Sequence, residues 1–401
     1  MGDPVIFHID VNSAFLSWSA LARLEAGSKT DLRLIPSIVG GDISTRHGVV
    51  LAKSIPAKSY GITTGEPVVS AFRKCPGLVS VAPDHELYHQ RSRQLMSFLE
   101  NICPDIEQVS IDECYMDYSP VAANYTSPEA AAAFIKDTVR EKFGFTVNVG
   151  ISDRKVLAKM ASDFQKPDLV HTLYTAEIPR KLWPLPVSRL FLCGRSSVET
   201  LKKLGILTIG DLAGSDPSIV SAHLKSHGQM LWNYANGIDS SSVLPEPGEA
   251  KGIGNSTTLT ADAVTRDAAV KILLDLSESV GRRLRAAHCR AGLICTEIKY
   301  NNFKSVSHQG APEVPTASTD AVYRMACTLF DELWDGTPIR LLGIRTGKLE
   351  DAGEPVQLSL FDYTAPISEK QQKLDAALDK IRGKYGRDAV KRGSLLDSPD
   401  R

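Results

Sequence analysis

Long apolar runs are missing from this chain, and so is any excess of charge of one sign. No apolar stretch approaches the roughly 20 residues that a membrane-crossing helix needs. The start shows no basic segment leading into an apolar one, so no secretory leader is expected. Ile6 stands where a myristoylation signal after Met1-Gly2 wants Ser or Thr. Lys and Arg number 46 against 47 Asp and Glu, a net charge of −1, which argues against a uniformly basic nucleic-acid coat. Any contact with DNA must then come from local patches. The 7 cysteines are scattered, odd in number and never paired as C-x-x-C, which argues against a zinc site or a disulfide framework and for a reducing, cytoplasmic setting.

What is present is ordinary globular composition, with 43% hydrophobic and 23% charged residues in a chain of 401. That length suggests two to four domains. Residues 1–25 read as a buried strand and a helix, with Asn12 and Ser13 offering N-cap oxygens and Phe15, Leu16, Leu21 and Leu24 at helical spacing. Residues 26–81 are punctuated by Gly, Ser and Pro and read as a small mixed α/β insertion. A helix around 86–101 follows, then a hairpin, a helix near 127–143, a strand at 145–151 and a helix carrying Lys155, Lys159 and Lys166. Residues 176–240 are mostly helical. Within them Leu201–Ile206 followed by Thr208–Leu212 has the pattern of a helix-hairpin-helix, whose backbone N–H groups suit a phosphate. The Ser-, Pro- and Gly-rich stretch 240–254 reads as a linker. Helices at 266–287 and 319–335 alternate with strands at 292–300 and 339–348, and a last helix is expected from Glu369 to Arg387.

The chemistry is carried by acids. Asp10 ends the apolar run Val5-Ile6-Phe7-His8-Ile9, and Asp112-Glu113 lies in Ser110-Ile111-Asp112-Glu113, between two short strand-like runs. Three carboxylates at strand ends can hold two Mg²⁺ ions about 3.5–4 Å apart, the arrangement that drives in-line phosphoryl transfer. Adjacent acids on a regular strand face opposite ways, so Asp112 and Glu113 share a metal only if the strand turns there.

Asp10-Val11-Asn12-Ser13-Ala14-Phe15 and Ser110-Ile111-Asp112-Glu113 resemble the two metal motifs of the Y-family, DinB/UmuC-type translesion DNA polymerases. The resemblance continues through Ala57-Lys58-Ser59-Tyr60-Gly61-Ile62, Val149-Gly150-Ile151-Ser152 and Lys166-Pro167, in family order. It implies a multidomain α+β fold: a ferredoxin-like palm (1–25 and 82–175), inserted fingers (26–81), a helical thumb (176–240), a linker (241–254), an α+β little finger (255–350) and a C-terminal tail (351–401).

The resemblance also implies roles. Asp10 and Asp112 bridge two Mg²⁺ ions, with Mn²⁺ as a substitute, while Glu113 and the Val11 backbone carbonyl complete the set. Phe15 takes the place of the steric gate that excludes a 2′-hydroxyl. Lys58 and Lys166 match triphosphate contacts, and Gly48 and Val49 match the roof over the nascent base pair. The usual Tyr-x-Ala-Arg reads Ile55-Pro56-Ala57-Lys58 here, so a hydroxyl is lost and a guanidinium fork becomes a point charge. Gly194 and Gly205 belong to the phosphate-binding hairpin, with Leu192 where the family has a further glycine. Arg282, Arg283 and Arg285, together with Lys299 and Lys304, are expected on one DNA-facing surface. Gln357-Leu358-Ser359-Leu360-Phe361 resembles the peptide that bacterial replication proteins insert into the sliding clamp. Primer-template DNA, dNTPs, the clamp and accessory SOS proteins are the partners implied, with no membrane. Two other readings use the same acids: a two-metal nuclease or phosphohydrolase, and a catalytically weak accessory that binds DNA and clamp.

Overall fold

A computed structural model describes residues 4–42, 48–246, 248–353, 369–386, 389–390 and 392–393. The chain divides into two compact units, one up to residue 247 and one from residue 248.

The first unit is built on a five-stranded sheet in the order Ile106–Gln108, Glu113–Asp117, Ile6–Val11, Val147–Ser152, Val170–Thr172. Neighbours are antiparallel except for the last pair. The central strand Ile6–Val11 is buried throughout because both of its faces are covered. Phe7, Ile9 and Val11 point into a core with Trp18, Leu95, Leu99 and Ile135, supplied by the helices Ala14–Glu25, His85–Glu100 and Pro128–Phe143. Each such side chain contributes about 1.5–3 kcal/mol when fully buried. The alternate residues Ile6, His8 and Asp10 face the helix Lys155–Ser162. Strand periodicity therefore delivers Asp10 to the same face as that helix. Lys166, expected on this helix, falls beyond its end at Ser162 and rides on the loop that follows. The expected N-caps also fail. Ser13 is left-handed with φ 49° and caps nothing, and the Asn12 amide donates to Thr146 Oγ1 at 3.1 Å.

A three-stranded sheet (Val50–Lys53, Ser37–Gly40, Val79–Val81) carries the insertion between the first helix and the rest. Helices Arg195–Lys203 and Ile209–Ala213 form a hairpin, closed by Gly205 at φ +78° and by reciprocal capping between Thr208 and Asp211. Leu192, on the glycine position of the resemblance, adopts φ +63° without a glycine's freedom. The start of the expected linker belongs to this unit: Val243 packs with Ile6 and Tyr115, and the Ser242 carbonyl accepts from Lys155 Nζ at 3.1 Å.

The second unit is a four-stranded antiparallel sheet, Ser305–Gly310, Cys289–Tyr300, Ile339–Asp351, Gly254–Ala263, with helices Arg266–Ala286 and Thr319–Leu333 packed against it. The edge strands 254–263 and 305–310 were not legible as strands, being poor in apolar residues, the first half-buried and the second mostly exposed. The last helix, Glu369–Tyr385, joins this unit by charge. Arg285 meets Asp379 at 2.6 Å and Asp375 at 3.4 Å, and Arg382 and Arg392 converge on Glu278 at 2.7 and 2.9 Å. Among the described residues no helix is long and apolar enough to cross a membrane.

Candidate active site

Asp10 and Glu113 face each other directly across the antiparallel pair, so their side chains share one sheet face. Asp112 precedes the strand in a bend, where its carbonyl accepts from Val11 N at 3.0 Å. The turn is fixed by Val109 N and Ser110 N, which both donate to the Glu113 carbonyl, and by Ser110 Oγ, which donates to Asp112 Oδ1 at 2.7 Å. The bend thus frees Asp112 from the alternation that would send it to the far face.

Electrostatics mark the three acids as one cluster. Burial pushes the Asp112 carboxyl above its ordinary range, the Ser110 hydroxyl draws it partly back, and the charges of Asp10 and Glu113 add to the rise. Glu113 goes the other way. The His8 imidazole beside it, with Lys159, holds its carboxyl down to about 2 against the upward pull of burial. Lys159 Nζ lies 3.1 Å from Glu113 Oε2 and 3.4 Å from Asp163 Oδ2. Lys166 Nζ contacts Asp10 and also lies 2.8 Å from Asp163 Oδ1. Among the described residues no three His, Cys, Asp or Glu side chains converge into a ready-made cation cage. Two ammonium groups, Lys166 on Asp10 and Lys159 on Glu113, contact these acids instead. The donor set still suits a hard cation: all-oxygen, two carboxylates in register and a third whose pKa is raised by burial and by their charge.

Lys166 is placed from both sides. Inside, the buried Asn148 amide donates to the Gln165 carbonyl at 2.6 Å and the Ser162 carbonyl at 3.2 Å. Outside, Arg140 and Lys136 grip Asp168 at 2.5 and 3.3 Å. Neither support was visible in the sequence, although Asn148 is the register partner of Asp10. Lys58 projects from the short helix Ile55–Ser59, close enough to Lys53 that its charge adds to burial in lowering the Lys53 pKa. Lys53 was missed; it lies five residues upstream. Gly48 and Val49 run beside this sheet, with Val49 paired to Pro67. Gly194 begins the helix Arg195–Lys203 with open space where a Cβ would be.

Phe15, in the first turn of its helix, stacks on Tyr88 with centroids 4.3 Å apart and planes 10° apart. Its ring meets the His85 edge at 6.0 Å.

In the second unit the expected single DNA-facing surface separates. Alternation turns Ile294, Ile298 and Tyr300 toward the helices and turns Lys299 to the opposite, open face. Arg282, Arg283 and Arg285 lie on the helix that covers the other side. Arg283 donates to the Gly254 carbonyl at 2.6 Å, and Arg285 spends its guanidinium on Asp375, Asp379, Thr319 and the Ala317 carbonyl. The open face holds instead Arg345, register partner of Cys295 and 3.4 Å from Glu297. Lys304 lies in the loop beside it, where Lys299 and Arg340 stand over the exposed Phe303 ring. Gln357, Leu358, Leu360 and Phe361 lie outside the described residues.

The chain is similar to known proteins along nearly its whole length. Residues 9–163 match the model of the impB/mucB/samB family, and residues 250–360 match that family's C-terminal domain. DNA polymerase IV of Clostridium acetobutylicum is 45% identical over 397 residues, 99% of each chain. DNA polymerase IV of Alkaliphilus oremlandii is 35% identical, covering 98% of this chain and 99% of that one. DNA polymerase IV 1 of Bacillus subtilis is 33% identical, covering 98% and 93%. A solved Y-family DNA polymerase chimera superposes with a TM-score of 0.74 at 22% identity, over 86% of this chain and 99% of that one, and so supports the fold. Members of this group need a divalent metal. The chain belongs to the impB/mucB/samB family, the Y-family of translesion DNA polymerases.

Proposed function

We propose that this chain extends a DNA primer past damaged template bases by two-Mg²⁺ nucleotidyl transfer, with Asp10, Asp112, Glu113 and the Val11 carbonyl holding the ions. The observation that carries it is the direct register of Asp10 and Glu113 with Asp112 bent into their field. When bound, the metals favour the deprotonated primer 3′-oxygen and neutralise the triphosphate. Lys166 and Lys58 supply point charges for the phosphates, and Gly48 and Val49 leave an open roof over the base pair. Phe15 reads the sugar.

The test is primer extension with Mg²⁺ and dNTPs across an abasic site and a bulky guanine adduct. Growth of the primer is expected. Shortening would favour a nuclease, and no change an accessory role.

DNA binding by the second unit is assigned to its open face. Lys299→Ala with Lys304→Ala should lower the slope of log affinity against log salt by about two, since each phosphate left without its lysine removes roughly 0.9. Arg285→Ala should leave that slope unchanged but free the final helix, read as faster amide exchange over 369–385. A lowered slope in Arg285→Ala would return the arginine cluster to the DNA side.

The peptide Gln357–Phe361 is assigned to the sliding clamp, with Leu358, Leu360 and Phe361 as anchors. Alanine at Gln357, Leu360 and Phe361 together should spare extension on short templates and abolish clamp stimulation on long ones, because tethering acts only through effective concentration. Persistent stimulation would place the clamp contact elsewhere. Accessory SOS proteins and a reducing cytoplasm complete the reading.

A further inference from the structure

His8 is fully buried, yet it carries two polar nitrogens and stands two residues before Asp10 on the same strand face. Its Nδ1 lies 2.8 Å from Ser162 Oγ. Its Nε2 makes no hydrogen bond of good geometry, and the Glu113 Oε2 atom stands 3.4 Å from it. The Tyr115 ring, register partner of His8, packs edge-on against the imidazole at 4.8 Å and fixes its plane. An apolar side chain would fill this space without leaving a polar atom unsatisfied, so packing alone does not account for the ring.

We propose that His8, locked by Ser162, is a positioning residue that orients the Glu113 carboxylate for metal. The inference rests on the assignment of Glu113 as a metal ligand. The hydrogen-bond arithmetic puts a proton on Nε2, facing Glu113. A neutral imidazole has one N–H and one lone pair. Ser162 Oγ lies 2.8 Å from Nδ1 and 2.9 Å from the Lys159 carbonyl, with a single proton to give. If that proton goes to the carbonyl, a neutral ring would donate from Nδ1 to the serine and turn its Nε2 lone pair on a carboxylate, a repulsive contact that only a doubly protonated ring, donating from Nε2 as well, avoids. If it goes to Nδ1, the N–H lies on Nε2 and points at Glu113. The second arrangement makes a donor chain from Ser162 through His8 to Glu113. Lys159 Nζ contacts the same oxygen, Oε2, at 3.1 Å. Both protein contacts therefore fall on Oε2, and Oε1 is the oxygen left for a cation. A histidine or carboxylate ligand fixed by a partner behind it is the usual device for tuning metal affinity.

The test uses the full chain bound to a primer-template with a dideoxy terminus, so that nothing turns over. Mn²⁺ affinity is measured by paramagnetic resonance or calorimetry, and the Mg²⁺ requirement of extension is measured separately on a reactive primer. His8→Phe should weaken Mn²⁺ binding about 10-fold or more, within the range seen for such supports. It should raise the Mg²⁺ needed for half-maximal extension similarly, with KM for dNTP unchanged. His8→Gln, which can present an amide N–H to Glu113, should recover most of the affinity. Ser162→Ala, the loss of one hydroxyl, should weaken binding a few-fold and decides the matter if His8→Phe does not fold. Unchanged Mn²⁺ affinity in folded His8→Phe, or in Ser162→Ala where the former is unfolded, overturns the inference. Glu113→Gln is the control. If it too keeps its Mn²⁺ affinity, the metal assignment itself has failed and the inference with it.

Discussion

Asp112→Asn should lower nucleotide incorporation by about 10³-fold while leaving the protein at least as stable as the parent. The activity loss follows from the charge it removes. In the proposed role Asp112 would help hold divalent metal against the charge that develops on the phosphate, and removing such a group costs on the order of 4 kcal/mol, at 1.36 kcal/mol per tenfold. The stability follows from the direction of the pKa shift. The folded Asp112 carboxyl is raised by burial and by Asp10 and Glu113, so its ionised form costs the fold stability at neutral pH. That cost shrinks as the pH falls through the folded pKa and is gone below the unfolded one, and an amide removes it at every pH. The substitution keeps the side chain's shape, and an amide oxygen still accepts from Ser110.

Glu113→Gln makes the contrast. Its carboxyl is depressed to about 2 by His8 and Lys159, so the ionised form contributes stability above the unfolded pKa, lost as the pH falls through about 2. Its amide should therefore lower both activity and Tm. Single-turnover incorporation and thermal melts at pH 7 separate the two residues. Equal losses of Tm in both variants, or Asp112→Asn incorporation within tenfold of the parent, would remove Asp112 from the site as described.

Much of this site was legible because it is local. Asp10 ends a run whose period-two alternation also places His8, and Ser110-Ile111-Asp112-Glu113 carries its own turn. The hairpin expected from the flanking runs is found, with Gln108 opposite Cys114. What could not be read depends on partners distant in sequence. Ser162 is 154 residues from His8, and Asn148 reaches the Lys166 loop only after the strands pair. Arg285 looked like a member of a cationic patch because Asp375 and Asp379 lie 90 and 94 residues downstream. A charge run on a helix shows that one face is polar; whether it meets solvent, DNA or another helix is decided by tertiary packing. Lys299 was grouped with the arginines, but strand alternation turns it away from the helix that bears them.

Phe15→Ala should raise the efficiency of ribonucleotide use by about 100-fold with deoxynucleotide use held within about tenfold. The ring can act as a gate only if it cannot yield. It is stacked flat on Tyr88 at 4.3 Å and touches the rings of His85 and Trp18 at 6.0 and 6.4 Å. Tyr88 is itself fully buried, with its hydroxyl 2.8 Å from Ser19 Oγ. A 2′-hydroxyl arriving against a ring so backed meets an overpacked contact, which costs about 1–3 kcal/mol because neither side can relax. A 100-fold change is about 2.7 kcal/mol, within that range. Alanine opens the space without touching the acids or the lysines, so the chemistry on deoxynucleotides persists. Some stability is lost, since the ring also packs against the core of the first unit, but less than the 3–5 kcal/mol of a fully buried phenylalanine. The ratio of kcat/KM for each ribonucleotide to its deoxynucleotide is the decisive measurement. A lower Tm with that ratio unchanged would make Phe15 a core residue of the palm helix and leave sugar selection to another group.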